Sequence, residues 1–141
     1  MLAAFRGKTR EVNARLLRLA FERLPSLVLD CAACADPMAL PFASQEELEA
    51  VFVVEIDLLY SLRDALLQAD ALASALDARV VIVTTFHHLF HYQDEAENAA
   101  VVGHIWELFS ALGERRDVLV GVKEGHPWGT SCPASALLST C

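Results

Sequence analysis

Two groupings of residues in this chain have types and spacing that suit known chemistry. Gly7-Lys8-Thr9, placed where a helix begins, is the closing part of a phosphate-binding loop. Such a loop works through a glycine-rich turn whose amides cradle phosphate, a lysine on the β/γ-phosphates and a hydroxyl on magnesium. The full motif asks for a glycine at the position of Leu2 and a strand before it, and the reading expects both to be missing. Cys31-Ala-Ala-Cys34 and His87-His88-x-x-His91 are the second grouping. Two thiolates and one or two imidazoles suit tetrahedral zinc, with Cys31, Cys34, His87 and His91 as the ligands. The competing reading makes the cysteines small buried hydrophobes in an alanine-rich setting and the histidines helix caps or solvated side chains. A thioredoxin-like role for Cys31 and Cys34 fits poorly, since Pro37 interrupts the helix that motif should open.

Weaker signals surround these. Asp94-Glu95-x-Glu97 is a carboxylate cluster of the kind that starts a solvated helix. Trp128 stands in a Gly/Pro-rich tail, where an aromatic can anchor a partner. No Gly-x-Ser-x-Gly, His-Glu-x-x-His or dinucleotide glycine fingerprint occurs.

The elements that would position these residues alternate between helical and extended periods. Val12, Leu16, Leu19 and Ala20 predict a helix over 8–24, stopped by Pro25. A short buried strand is expected at 26–30 and further strands at 51–55, 79–84 and 117–122, that at 79–84 apolar on both faces. Ser44-Gln-Glu-Glu47 is a capping box that opens a short helix to Ala50. Leu58, Leu59, Leu62, Leu66, Ala69 and Leu72 form one face of a helix of about 18 residues. His87 to Glu97 reads as a polar loop, and Val101, Val102, Ile105, Trp106, Phe109 and Leu112 as an amphipathic helix with Gly113 at its C′ position. Residues 125–141 show no period and are expected as a flexible tail after a single domain, 1–124. Strands that are apolar on both faces, alternating with helices, predict an α/β three-layer sandwich with a mainly parallel sheet of about four strands.

With 141 residues, 55% of them hydrophobic, and a mean hydropathy of +0.37, the chain is long enough for one packed core. No apolar run approaches the roughly 20 residues of a membrane span, and the N-terminus lacks a signal-peptide core, so an intracellular location is expected. The net charge of −8 is unevenly spread. Residues 1–24 hold six bases and two acids, and the rest five bases and 17 acids. Such a basic end can mark a nucleic-acid face through Arg15 and Arg18, or a helix packed near acidic neighbours.

The order of these patterns resembles the RecA-like recombinase ATPases of the P-loop NTPase superfamily, over roughly Gly7 to Glu124. Leu27-Val-Leu-Asp30 with Pro37 seven residues on looks like that family's second strand and following loop. Val51-Phe-Val-Val with the 57–72 helix looks like its third strand and helix. Val80-Val-Ile-Val-Thr-Thr-Phe-His-His-Leu-Phe90 stands at its Walker B strand, and Val118-Leu-Val-Gly-Val122 at the next.

The resemblance implies where function should lie, and there the chain departs from it. The Walker B aspartate falls near Thr84, the activating glutamate on Ala32 and the first loop glycine on Leu2. Without those carboxylates the electrostatic parts of phosphoryl transfer are gone, and Gly7, Lys8 and Thr9 are left as a vestige. The expectation is a non-catalytic RecA-like structural subunit in a recombination or DNA-repair complex, without cofactor, partnered by a recombinase-type ATPase or paralogue. Such a protein is nuclear in a eukaryote and cytoplasmic in a prokaryote. The alternatives are an ATPase whose start omits the first strand and loop, which would use ATP and magnesium, and a zinc-stabilised binding module. With no strand expected before residue 8, Val118, Val120 and Val122 form an exposed edge that invites self-association or a partner strand.

Overall fold

The computed structural model describes residues 1–35, 44–91 and 93–126, and the backbone of 137–140. Its strands are β1 (Leu2–Gly7), β2 (Ser26–Asp30), β3 (Val51–Glu55), β4 (Val80–Val83), β5 (Asp117–Lys123) and β6 (Leu137–Thr140). The helices are α1 (Thr9–Glu22), α2 (Gln45–Glu49), α3 (Leu59–Leu76) and α4 (Glu95–Gly113), with a 3₁₀ turn over His87–Phe90. All strand pairings are parallel, in the order β3-β2-β4-β5-β1-β6. This is an α/β fold with a parallel sheet flanked by helices.

Alternation along the strands builds two cores. Leu27, Leu29, Val81, Val83, Val118, Val120 and Val122 face α3 and α4, while Val28, Val80, Ile82 and Leu119 face α1. A strand covered on both faces must be apolar at every position, which is the run seen in β4 and β5. Val101, Val102, Ile105, Trp106, Phe109 and Leu112 of α4 are all buried, as their spacing predicts. On α3 the buried stripe is Leu59, Leu62, Leu66, Ala69 and Ala73, and Leu58 and Leu72 at the ends of the expected face are exposed. The Ser44 hydroxyl accepts from the Glu47 amide at 3.2 Å and opens α2, as the capping box predicts.

The largest correction concerns the start of the chain. The sheet has six strands rather than about four, and Leu2–Gly7 forms β1 beside β5. Leu2 pairs with Val118, Ala4 with Val120 and Arg6 with Val122, so the edge expected at those valines is covered. Six extended residues span about 20 Å, enough for a strand, and one residue then suffices to turn into α1. Apolar Leu2, Ala3, Ala4 and Phe5 are buried on alternate faces, and the small alanines let the helices sit close. At Gly113 α4 lies so near β1 that a Cβ there would stand 2.9 Å from Leu2 Cβ. Gly113 is the last residue of α4 rather than its C′ residue. Two further expectations change. The polar stretch from His87 becomes a 3₁₀ turn followed by the start of α4 at Glu95, capped by the Asp94 carboxylate on the Glu97 amide at 2.8 Å. The tail supplies a strand, Leu137–Thr140, paired to the free side of β1.

Candidate functional site

Ligand sites in open parallel sheets lie at the carboxyl ends of the strands, and the chemistry-bearing residues of this chain gather there. Gly7 closes β1, Asp30 closes β2, and Thr84 and Thr85 follow β4.

At the end of β1 the backbone passes from strand to helix through Lys8 alone. Lys8 is extended (φ −69, ψ 135), its side chain makes no capping bond and it lies exposed, while its carbonyl accepts the first helical bond from Val12 at 2.9 Å. The Gly7 carbonyl accepts from the Glu124 amide at 2.9 Å, which continues the pairing with β5. A phosphate cradle needs several successive amides turned inward by glycines in left-handed conformations. Here the residues that would form that loop are the strand itself, and the only described glycine at positive φ is Gly125. Gly7, Lys8 and Thr9 keep their place at a helix N-terminus, without the cradle.

Across the sheet, the position of the expected metal-holding carboxylate is closed by protein. The Thr84 hydroxyl accepts from the Cys31 amide at 2.8 Å and the Ala32 amide at 3.2 Å, and donates to Asp30 Oδ1 at 3.1 Å. Asp30 Oδ1 also accepts from the amides of Ala32 (3.3 Å) and Cys34 (3.2 Å), and Oδ2 from that of Ala35 (2.9 Å). Both side chains are buried. A buried carboxylate is tolerated only when donors replace its water, and the 31–35 loop wraps it with amides for that purpose. Ala33 takes a left-handed conformation (φ 53) to make the wrap, a strained one for a residue with a Cβ.

Neighbouring bonds tie the same region to α1. Asn13 donates through Nδ2 to Thr85 Oγ1 at 2.9 Å, and its Oδ1 accepts from the Thr85 amide at 3.0 Å. Gly121 admits this approach, since a Cβ there would meet the Thr85 nitrogen at 3.1 Å. Sequence reasoning missed Asn13; its signal was a lone amide on the otherwise apolar face Val12, Leu16, Leu17 and Ala20.

The cysteines and histidines divide. Cys34 Sγ donates to Asp30 Oδ1 at 3.5 Å. Burial, and then the Asp30 charge, push the Cys34 thiol up to about 12, and burial raises buried Cys31 likewise. Thiols so disfavoured as thiolates make poor nucleophiles. His87 instead stacks near His88, with ring centroids 3.9 Å apart, and lies 5.8 Å from His126. Burial first, then the charges of His88 and Lys123, lower His87 to about 4. His87, His126, Phe86, Phe90 and Lys123 line a cleft of about 10 Å³, room for a single water and far from a nucleotide. Among the described residues no group of three or more His, Cys, Asp or Glu side chains is placed to hold a metal, so the donor set does not fit zinc. His91 is exposed.

On α1, Arg15 and Arg18 are exposed, and the Arg15 guanidinium lies 4.8 Å over the Phe5 ring. Trp128 lies outside the described residues. No protein-family model matches the chain, and no curated protein matches it.

Two outcomes are expected from this geometry. Thr84→Asp, which restores a carboxylate at the aligned position, would set two acids about 3 Å apart and remove the hydroxyl that donates to Asp30. Urea unfolding should then show a loss of more than about 2 kcal/mol, and Thr84→Ser much less. The histidines give a pH window. The folded pKa of His87 lies below its ordinary 6.5, so the fold favours the neutral ring. Stability should be complete above about pH 6.5 and fall as pH drops toward 4. Comparing unfolding midpoints of wild type and His87→Gln across that range checks it, the variant showing a shallower decline.

Proposed function

We propose that this chain is a non-catalytic RecA-like structural subunit of a recombination or DNA-repair complex. One observation carries the reading: the two places where nucleotide chemistry would be built are occupied by the protein's own hydrogen bonds. β1 enters α1 with no amide cradle, and Thr84 and Asp30 satisfy each other and the 31–35 loop. Phosphoryl transfer depends on positioned cations and water-orienting carboxylates, and among the described residues the carboxylate at this end of the sheet, Asp30, is engaged by its own loop and by Thr84.

The family assignment draws its support from order. The resemblance implies the strand order 51–55, 26–30, 79–84, 117–122, with the phosphate-loop strand outside the last; β3-β2-β4-β5-β1 is that sequence of neighbours. The partner this reading names is a recombinase-type ATPase or paralogue, with the exposed Arg15 and Arg18 as the face for any contact with nucleic acid.

Titration calorimetry with Mg-ATP tests the reading. The dissociation constant should be weaker than about 100 μM, and phosphate release should equal the protein-free rate. Micromolar binding abolished by Lys8→Ala would overturn it.

A further inference from the structure

The outer side of β3 stands apart from the rest of the sheet. β2, β4 and β5 are buried almost throughout, whereas Phe52 and Val53 of β3 are 37% and 39% exposed. Among the described residues β3 pairs with β2 alone, and its hydrogen bonds fix which groups are left over. The Ser26 amide donates to the Ala50 carbonyl and the Ile56 amide to the Asp30 carbonyl, each at 3.0 Å. In a parallel ladder every second residue turns both backbone groups to the neighbour. Residues 52 and 54 therefore serve β2, and Val51, Val53 and Glu55 point their N–H and C=O groups outward.

Edge strands are ordinarily guarded by lysine, proline or a bulge. Val51-Phe-Val-Val-Glu55 has none, and it pairs with β2 residue for residue. Its surroundings are one-signed. No Lys, Arg or His occurs between Arg23 and Arg63, while Glu46, Glu49, Glu55 and Asp57 lie exposed before, within and after the strand.

We infer that the outer edge of β3 receives an extended segment of a partner protein, apolar at its centre and flanked by lysine or arginine, which adds as a seventh strand. The backbone groups of Val51, Val53 and Glu55 supply the hydrogen bonds, Phe52 and Val53 the apolar contact on either face, and the acids the attraction for the flanks. A second copy of this chain fits worse. Antiparallel pairing about Val53 would set Glu49 of one copy beside Asp57 of the other, like charge on like charge.

The probe is a nine-residue peptide of alternating valine and threonine with two lysines at each end, labelled for fluorescence anisotropy. It should bind the full chain at tens of micromolar in low salt. The same peptide with glutamates for lysines should bind at least tenfold more weakly. Amide exchange at Val51, Val53 and Glu55 should slow on binding while Phe52 and Val54 stay unchanged. Val53→Pro removes an outward donor and should weaken binding about tenfold. Since a proline in a strand can itself disturb the fold, the pair Glu49→Lys with Glu55→Lys provides a second test, in which the preference between the two peptides reverses. Equal binding of both peptides by wild type, or no change in exchange at the three amides, overturns the inference. So does a dimer of the chain alone that Val53→Pro dissociates.

Discussion

The carboxylate of Asp30 is the polar group on which the carboxyl side of this sheet is organised. It lies in the interior at the end of a fully buried strand, where an unsolvated charge is tolerated only if donors surround it. Those donors come from two directions: the amides of Ala32, Cys34 and Ala35 in its own loop, and the Thr84 hydroxyl beyond β4. The same hydroxyl turns back to accept from Cys31 and Ala32. Each group thus satisfies the other, and β2, its loop and the end of β4 are joined into one unit. Asn13 and Thr85 extend that unit to α1. Most of the acceptor capacity of the carboxylate is thus used inside the protein, above all at Oδ1.

The first strand acts in the same direction. A central position in a parallel sheet demands apolar, compact residues, and Leu2-Ala-Ala-Phe5 meets that demand between β5 and β6. Committing those residues to the ladder leaves Lys8 alone to make the turn into α1. Chain length then decides the chemistry, since one residue cannot form a concave ring of amides. At the opposite end of β1, Gly113 brings α4 against Leu2, so both ends of the strand are fixed by neighbours.

Much of this architecture was legible in the residues, and the exceptions have identifiable causes. Strands β2, β4 and β5 announced themselves because burial on both faces leaves continuous apolar runs, β3 by an apolar run although it lies at the exposed edge, and α4 because its six core residues keep a helical period. β1 did not, because a glycine, lysine and threonine at its end invited a loop reading, and local sequence does not reveal which strand will pair beside β5. Leu58 and Leu72 fitted a helical stripe, but Leu58 is the residue before α3 and Leu72 lies beside the buried line through Leu66, Ala69 and Ala73. At the site, the loss of the expected carboxylate at Thr84 was visible in the sequence. That the threonine would instead close a network with Asp30 was not, since the partner lies 54 residues away. The cysteine and histidine pairs looked alike as metal ligands; only the fold separates the thiols on Asp30 from the imidazoles around His87.

The account rests on a carboxyl-end network that is complete without ligand, and amide hydrogen exchange reads that directly. In the protein alone, the amides of Cys31, Ala32, Cys34 and Ala35 should exchange slowly, and saturating Mg-ATP should leave their rates unchanged. Fast exchange at those four amides in the free protein, slowed by Mg-ATP, would mean that the crevice is an open nucleotide site and would contradict the account.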